Sequence, residues 1–332
     1  MRVLMVSPYP PMTGGIAVYG AQVAANLREQ GHEVTVASPE PSDAEYVIDV
    51  TRRGAGRALA RLAKRCDRLV VQFQPEMLGA PDSSRVARLR SLLRAGWGLR
   101  AAPSLEMYVH EVGYPEGPAA PLLRRVLGSF FGLADEVTVH TELERRDFTE
   151  AFGIGTDRVR VVSQGEYLLR RTDTDQATAR VALGVPEDSV LLLAIGFLQP
   201  NKGFDRAVRA FAEARPDRGL LYVVGGMWRE DETSREHLVE LRRLASETPG
   251  VELREGYVDD EAFDRWIVAS DVLVLPYRAG WSSNVMERGL LYEKPVIMSR
   301  VGGMAEQGAG RPNVTLVDDD FGLVEALRRI GD

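Results

Sequence analysis

Residues 271–307 read DVLVLPYRAGWSSNVMERGLLYEKPVIMSRVGGMAEQ, and this stretch decides the fold. Val272–Leu275 is an unbroken apolar run of strand length, followed by a polar loop. A helix is predicted to start near Ser283, a second strand to run from Pro295 to Met298, and a Gly-Gly turn to follow. Strand, loop, helix and strand in that order, with strands apolar on both faces, predict a parallel sheet covered by helices on each side. The loop matters as much as the strands. Small polar residues leading from a strand's carboxyl end into a helix offer unpaired N–H groups and a favourable dipole to a phosphate. Glu287 falls one turn inside that helix, where a carboxylate can accept two ribose hydroxyls. The stretch therefore reads as a nucleotide-diphosphate site with Ser282, Ser283 and Asn284 at the helix tip. Those residues also suit plain helix capping, and the two uses are compatible.

Outward from this stretch the pattern repeats. Predicted strands in the first half are Val3–Val6, Val34–Ala37, Leu69–Gln72, Leu105–His110, Glu136–Val139 and Val159–Val162. In the second half they are Val190–Gly196, Leu220–Val224, Val251–Gly256, Val272–Leu275, Pro295–Met298 and Val314–Val317. Amphipathic helices such as Ala17–Gln30, Phe204–Ala214 and Asp260–Ala269 separate them. The pattern restarts at Val190 after a polar stretch. This predicts an α/β protein of two doubly wound, Rossmann-like domains: 1–169, a linker at 170–188, and 189–332. Ligands are expected in a cleft at the carboxyl ends of the strands.

A length of 332 residues suits two such domains. The single cysteine, Cys66, excludes an internal disulfide and any cysteine-based metal cluster, so a reducing cytoplasm is expected. The opening MRVLMVSPYPP is too short in its apolar run for a signal peptide and reads as a first strand. No run of about 18 apolar residues exists to span a membrane. The net charge of −7 conceals an asymmetry: residues 51–100 carry twelve Lys or Arg against three Asp or Glu, +9 in all, leaving −16 elsewhere. Around 57–68, Leu59, Leu62, Ala63 and Cys66 share one helix face, and Arg57, Arg61, Lys64, Arg65 and Arg68 another. A solvated face explains this, as does contact with anionic headgroups or steering of an anionic acceptor. Nucleic acid is disfavoured, because the whole chain is acidic and no aromatic residues interleave the basic ones.

Three loops carry candidate chemistry. In SPYPPMTGG, Gly14 and Gly15 let the backbone approach a ligand before a helix; the glycines lack the spacing of a dinucleotide fingerprint. In GFLQPNKGF, Lys202 stands at a domain's ligand edge, where an ammonium can neutralise a departing diphosphate. The third is the 279–287 loop. Among the histidines, His32 reads as a turn residue, His237 as solvent-facing, His140 as a candidate lining residue, and His110 as the one at a ligand edge. Asp318–Asp320 make a poor calcium site and a good helix cap, and no metal site is expected.

With these segments in place the chain resembles the group 1, or family 4, glycosyltransferases nearly end to end. The resemblance is carried by SPYPPMTGGI, QFQPEMLG, YVHEVGYP, VTVHTE, VVSQGE, GFLQPNKGF, GYVDDEAFDRWIVASDVLVLPY and MERGLLYEKPVIMSRVGG. It implies the GT-B arrangement and a retaining, metal-independent transfer of a sugar from a nucleotide-sugar, of UDP or GDP type, without a cofactor. By resemblance Gly15 contacts the donor diphosphate or lies on the acceptor side, and His110 hydrogen-bonds the donor sugar. Lys202 and the amides of Ser282–Asn284 hold the diphosphate. Glu287 binds the ribose, and the backbone of Gly256, Tyr257 and Val258 the base. The implied partners are the nucleotide-sugar and a sugar, glycoside or lipid-linked acceptor; the charge of the basic 52–100 region separately suggests peripheral membrane contact.

Three departures accompany it. Where the family has the first of two glutamates, this chain has Ala279. Where it opens the lysine loop with glycine-arginine, this chain has Gly196-Phe197, and Arg278 is the candidate replacement cation. The chain ends soon after Phe321–Ile330, where the family commonly continues into helices that cross back, so a looser hinge or a stabilising partner is expected. These departures motivate an alternative: a nucleotide-sugar-binding partner or regulator without turnover. A GT-B epimerase ranks behind both, because no carboxylate has a clear claim to a ring proton.

Overall fold

A computed structural model describes residues 1–12, 14–80, 82–110, 115–228 and 231–330. The chain divides into two compact units, Met1–Tyr167 and Leu168–Asp332. The first contains β1 (Arg2–Val6), α1 (Gly15–Glu29), β2 (Glu33–Ser38), β3 (Tyr46–Val47), α2 (Ala55–Ala63), β4 (Arg68–Phe73) and α3 (Arg85–Leu99). It continues with β5 (Leu105–Val109), α4 (Ala120–Phe131), β6 (Glu136–Val139), α5 (Glu142–Phe152) and β7 (Val159–Val161). Its sheet is parallel in the order β3-β2-β1-β4-β5-β6-β7. In β1, Leu4 and Val6 enter one core while Val3 and Met5 enter the other. Alternate side chains thus bury both faces, which is why the strand reads as continuous apolar sequence.

The second unit contains α6 (Gln176–Leu183), β8 (Val190–Ile195), α7 (Phe204–Ala214), β9 (Gly219–Gly225), α8 (Glu232–Glu247), β10 (Val251–Glu255) and α9 (Asp260–Ala269). There follow β11 (Val272–Leu275), α10 (Asn284–Leu291), β12 (Val296–Ser299), α11 (Gly302–Gly308), β13 (Val314–Val317) and α12 (Asp320–Arg328). The parallel sheet runs β10-β9-β8-β11-β12-β13. Leu192 and Ala194 of β8 face one core and Leu191, Leu193 and Ile195 the other. In each sheet the order reverses once, between β1 and β4 and between β8 and β11, and the loops leaving those strands lie side by side at the switch point.

Two expectations need correcting. The stretch 170–188, expected as a linker, is folded into the second unit. Asp175 caps α6 by accepting from the Thr178 N–H at 2.7 Å. The nearly buried Arg180 donates to Ala269 O at 3.0 Å and to Asp271 Oδ2 at 2.5 Å. Its polar composition serves capping and ion pairing against α9, not a solvated tether. The helix expected around 57–68 stops at Ala63, because Arg68 already belongs to β4 and Asp67 accepts the Arg2 N–H at 2.8 Å to hold that strand to β1. The two-residue β3 was not expected; no periodicity is readable over so short a run.

Candidate active site

In the second unit, the loops leaving β8 and β11 are stitched together. The Arg278 N–H donates to Asn201 O at 2.8 Å, and its guanidinium donates to Pro200 O at 2.9 Å. The same guanidinium grips Asp205 with two bonds of 2.7 Å. Gly203 sits against Pro276 O with φ of +66°; an added Cβ would fall 2.1 Å from that oxygen, so only glycine closes the junction. Burial pushes the Asp205 carboxyl up, but hydrogen bonds from Arg278 and Arg209 outweigh it and hold the pKa at about 2. Arg278, expected as a replacement diphosphate cation, is thus engaged as the clamp of the lysine loop. Lys202 lies on this clamped loop, half-exposed, with Nζ 4.1 Å from the centre of the Tyr277 ring. Phe197, where an arginine was expected, packs beside Trp228 with ring centres 6.2 Å apart.

The loop from β11 leads into α10. Ser283 is its N-cap, buried, and accepts from the Met286 N–H at 3.2 Å. The Ser283 N–H donates to Gln307 Oε1 at 2.8 Å. The amides of Asn284 and Val285 have no partner among the described residues, as the first turn of a helix dictates. Asn284 Oδ1 and the Tyr277 hydroxyl are buried without a hydrogen-bond partner. Buried polar atoms are seldom left so in a finished structure, and at a ligand edge they mark places for ligand atoms or water. Glu287 is buried too; its Oε1 accepts from Gln307 Nε2 at 3.1 Å and Arg311 at 3.2 Å. Gln307, which sequence reading did not single out, therefore both caps the helix tip and orients the carboxylate. Its only signal was its position, one turn after the Gly-Gly that opens α11. Gly256, beyond β10, donates to Gly225 O at 2.9 Å; Tyr257 is exposed and Val258 half-buried. Ser282 and Ala279 lie on the accessible part of the loop.

In the first unit, Gly14 precedes α1 at φ of 147°, and nothing comes within 4 Å of where a Gly15 side chain would begin. Thr13 and the VGY of YVHEVGYP lie outside the described residues, as does Glu111. His110 follows β5 and His140 follows β6, and the structure brings them together. His140 Nδ1 is 3.0 Å from Val162 O, which only accepts, so that nitrogen carries the hydrogen. In a neutral ring His140 Nε2 is then an acceptor, and it faces His110 Nδ1 at 3.1 Å. His110 Nδ1 must donate, which leaves its Nε2 as acceptor opposite the Gln72 side-chain amide at 2.6 Å. The Gln72 nitrogen is the buried atom left without a partner when its oxygen faces His110. A half-turn of that amide completes a chain of donors from Gln72 through both imidazoles to Val162. Tyr19 covers both rings edge-on, at 5.0 and 5.9 Å.

Burial, together with the neighbouring His140, pushes the His110 pKa well below that of an ordinary imidazole. Burial also takes His140 down to about 4, although its bond to Val162 pulls the other way. Both rings are neutral near pH 7. In the unfolded chain they take up protons near pH 6.5, so their contribution is complete above that value and drains away as pH falls toward 4. We expect urea midpoints of the wild type to fall between pH 7 and 5, and the fall to shrink in His110→Gln/His140→Asn. Equal losses in both proteins would remove the histidines as its cause.

Of the remaining expectations, Asp319 caps α12 through the Gly322 N–H at 2.8 Å, while Asp318 and Asp320 pair with Arg300 and Arg206. His237, expected to face solvent, is half-buried near Asp205.

The fold is shared with solved glycosyltransferases. The Anabaena protein HepE in complex with UDP-glucose superposes with a TM-score of 0.71 at 15% identity, over 98% of this chain and 88% of that one. Sucrose-phosphate synthase from Thermosynechococcus elongatus gives 0.69 at 19%, over 99% and 89%. These likenesses show the fold, the two-domain GT-B architecture.

Residues 13–165 match the family model for Glycosyltransferase Family 4, and residues 189–331 that for Glycosyl transferases group 1. The chain belongs to the group 1, family 4 glycosyltransferases. Relatives include a D-inositol 3-phosphate glycosyltransferase of Nocardioides sp., 26% identical over 96% of this chain and 77% of the relative. Another, from Acidothermus cellulolyticus, is 28% identical over 92% and 75%.

Proposed function

We propose that this glycosyltransferase moves a sugar from a UDP- or GDP-type donor to an acceptor hydroxyl with retention and without a metal ion. One observation carries the reading. Lys202 and the open first-turn amides of α10 stand on adjacent switch-point loops that Arg278, Asp205 and Gly203 lock together. The lysine supplies a full positive charge and the helix tip a partial one, where metal-dependent transferases use a cation. The bond from the anomeric carbon to the diphosphate breaks, the acceptor oxygen bonds to that carbon on the same face, and the departing phosphate oxygen takes the acceptor's proton. Glu287, aligned by Gln307 and Arg311, holds the ribose, and the 256–258 backbone the base. Gly15 has nothing within 4 Å of where its side chain would begin, and with the preceding Gly14 it is assigned to the donor at the first unit's ligand edge. His110 is assigned the contact with the donor sugar from the family resemblance. The acceptor is a sugar, glycoside or lipid-linked carrier, and the relatives' names put inositol phosphates first on the acceptor panel. The reaction belongs in the cytoplasm, at the inner face of the membrane.

A panel of UDP-, GDP- and dTDP-sugars, with inositol phosphates and simple sugars as acceptors, tests this by nucleotide release and thermal shift. A donor at 100 times its Kd should stabilise by about 2.7 kcal/mol. Neither stabilisation nor release with any donor would remove the reading. Ala279 and Phe197 favour a second reading, a nucleotide-sugar-binding regulator; stabilisation without turnover at any acceptor would select it.

A further inference from the structure

The outer face of α3 has no counterpart in the chemistry above. The inner face of this helix buries Ser91, Leu92, Ala95, Gly96 and Leu99 against the first unit's core, as a sheet-covering helix should. The opposite face should then be polar. Instead Val86, Leu89, Leu93 and Trp97 are exposed, by 58, 43, 65 and 57%. Their spacing of three to four residues sets them in one stripe about 16 Å long. Single exposed apolar residues are ordinary, but a stripe that includes a tryptophan is a surface built for something. Arg85, Arg90 and Arg100 border it, all exposed.

The neighbouring helix extends the surface with charge. Helices α2 and α3 meet through glycines: a Cβ on Gly56 would lie 2.6 Å from Arg94 O, and one on Gly98 would lie 2.8 Å from the Leu59 Cβ. Arg94 ties the pair to the preceding loop through Thr51 O at 2.8 Å. So close an approach fixes the two outer faces as one rigid platform. On the α2 side it carries Arg53, Arg57, Arg61, Lys64 and Arg65, exposed and without an ion-pair partner among the described residues. Elsewhere the chain pairs its arginines freely, as in Arg242–Glu255 and Arg243–Glu240. Cations left unpaired beside an uncovered apolar stripe match an interface with anionic headgroups above and acyl chains beneath.

We propose that the α2–α3 face docks the enzyme on an anionic lipid surface, with Val86, Leu89, Leu93 and Trp97 entering the headgroup boundary and the α2 cations facing the headgroups. Nucleic acid would use the arginines and leave the aliphatic stripe idle. A second copy of this chain would bring the same excess of positive charge against itself. The proposal does not depend on the donor or acceptor reading, because none of these residues belongs to the candidate active site.

The test is co-sedimentation of the full chain with vesicles of phosphatidylcholine alone or mixed with phosphatidylglycerol, at low and physiological salt. Binding is expected only with the anionic lipid and should weaken as salt rises. Leu93→Ser/Trp97→Ser and, separately, Arg57→Ser/Arg61→Ser/Arg65→Ser should each reduce partitioning at least ten-fold while leaving the melting temperature and any donor-induced stabilisation unchanged. The apolar variant should also lose a blue shift of tryptophan emission on adding vesicles. Equal binding to zwitterionic vesicles overturns the proposal, as does a Leu93→Ser/Trp97→Ser variant that binds like wild type. Duplex DNA that outcompetes the vesicles, or a dimer in sedimentation velocity that Trp97→Ser dissolves, would replace lipid with that partner.

Discussion

Lys202→Ala should lower turnover by about 100- to 1,000-fold, the usual consequence of removing one group that stabilises charge developing on a leaving oxygen. The loss should fall mainly on kcat, because the diphosphate becomes more negative as its bond to the sugar breaks. Folding should scarcely notice. Lys202 is half-exposed and its contact within the fold is the Tyr277 ring, worth about 0.5–1 kcal/mol at such a site. A 100-fold change in rate corresponds to about 2.7 kcal/mol, so the two effects separate cleanly. Lys202→Arg keeps the charge but broadens its shape, and should recover only part of the rate. Steady-state kinetics beside a urea titration checks this. A loss under ten-fold in Lys202→Ala would take the lysine out of the diphosphate site and leave the helix tip alone.

The second large effect is on stability. Asp264 of α9 and Arg288 of α10 form an ion pair whose side chains are 0 and 4% exposed, with Arg288 Nε 2.7 Å from Asp264 Oδ1. The other carboxylate oxygen takes the Arg171 N–H at 3.1 Å and the Tyr292 hydroxyl. Asp264→Ala takes the carboxylate away from the buried Arg288 guanidinium and should cost about 3–5 kcal/mol, although the Arg171 N–H keeps the Tyr292 hydroxyl as an acceptor at 3.0 Å. Replacing both partners, Asp264→Leu/Arg288→Met, removes both charges and should recover much of that loss. Because Arg288 follows Glu287 directly, the single variant should also weaken donor binding while the double variant recovers part of it. Urea unfolding of the two variants decides the matter. Equal stabilities would mean that the pair's charges are not what holds α9 to α10.

The sheets were legible because burial on both faces leaves an unmistakable mark. VLLLAI at 190–195 and VLVL at 272–275 have no polar position to confuse the reading, and all twelve expected strands are present. The lysine loop and the α10 tip were also placed at their strand ends by order alone. What escaped was whatever depends on a distant partner. Gln307 reaches Ser283 across 24 positions, and Arg278 finds Asp205 across 73. No local pattern announces such a pairing, so Arg278 looked like a free cation and Gln307 like nothing. The stretch 170–188 failed for the opposite reason: caps and ion pairs give a packed helix the composition of a tether.

The switch point between β8 and β11 also sets a timetable for synthesis. Strand β8 pairs with β9 soon after it is made, but its other edge waits for β11, roughly 75 residues later in the chain. At about 5–20 residues per second the ribosome leaves that edge, with its row of N–H and C=O groups, uncovered for on the order of 4–15 s. The Leu191 amide waits equally long for the Asp271 carboxylate that accepts it at 2.7 Å. That edge of β8 is therefore open to strand-to-strand clumping until β11 arrives.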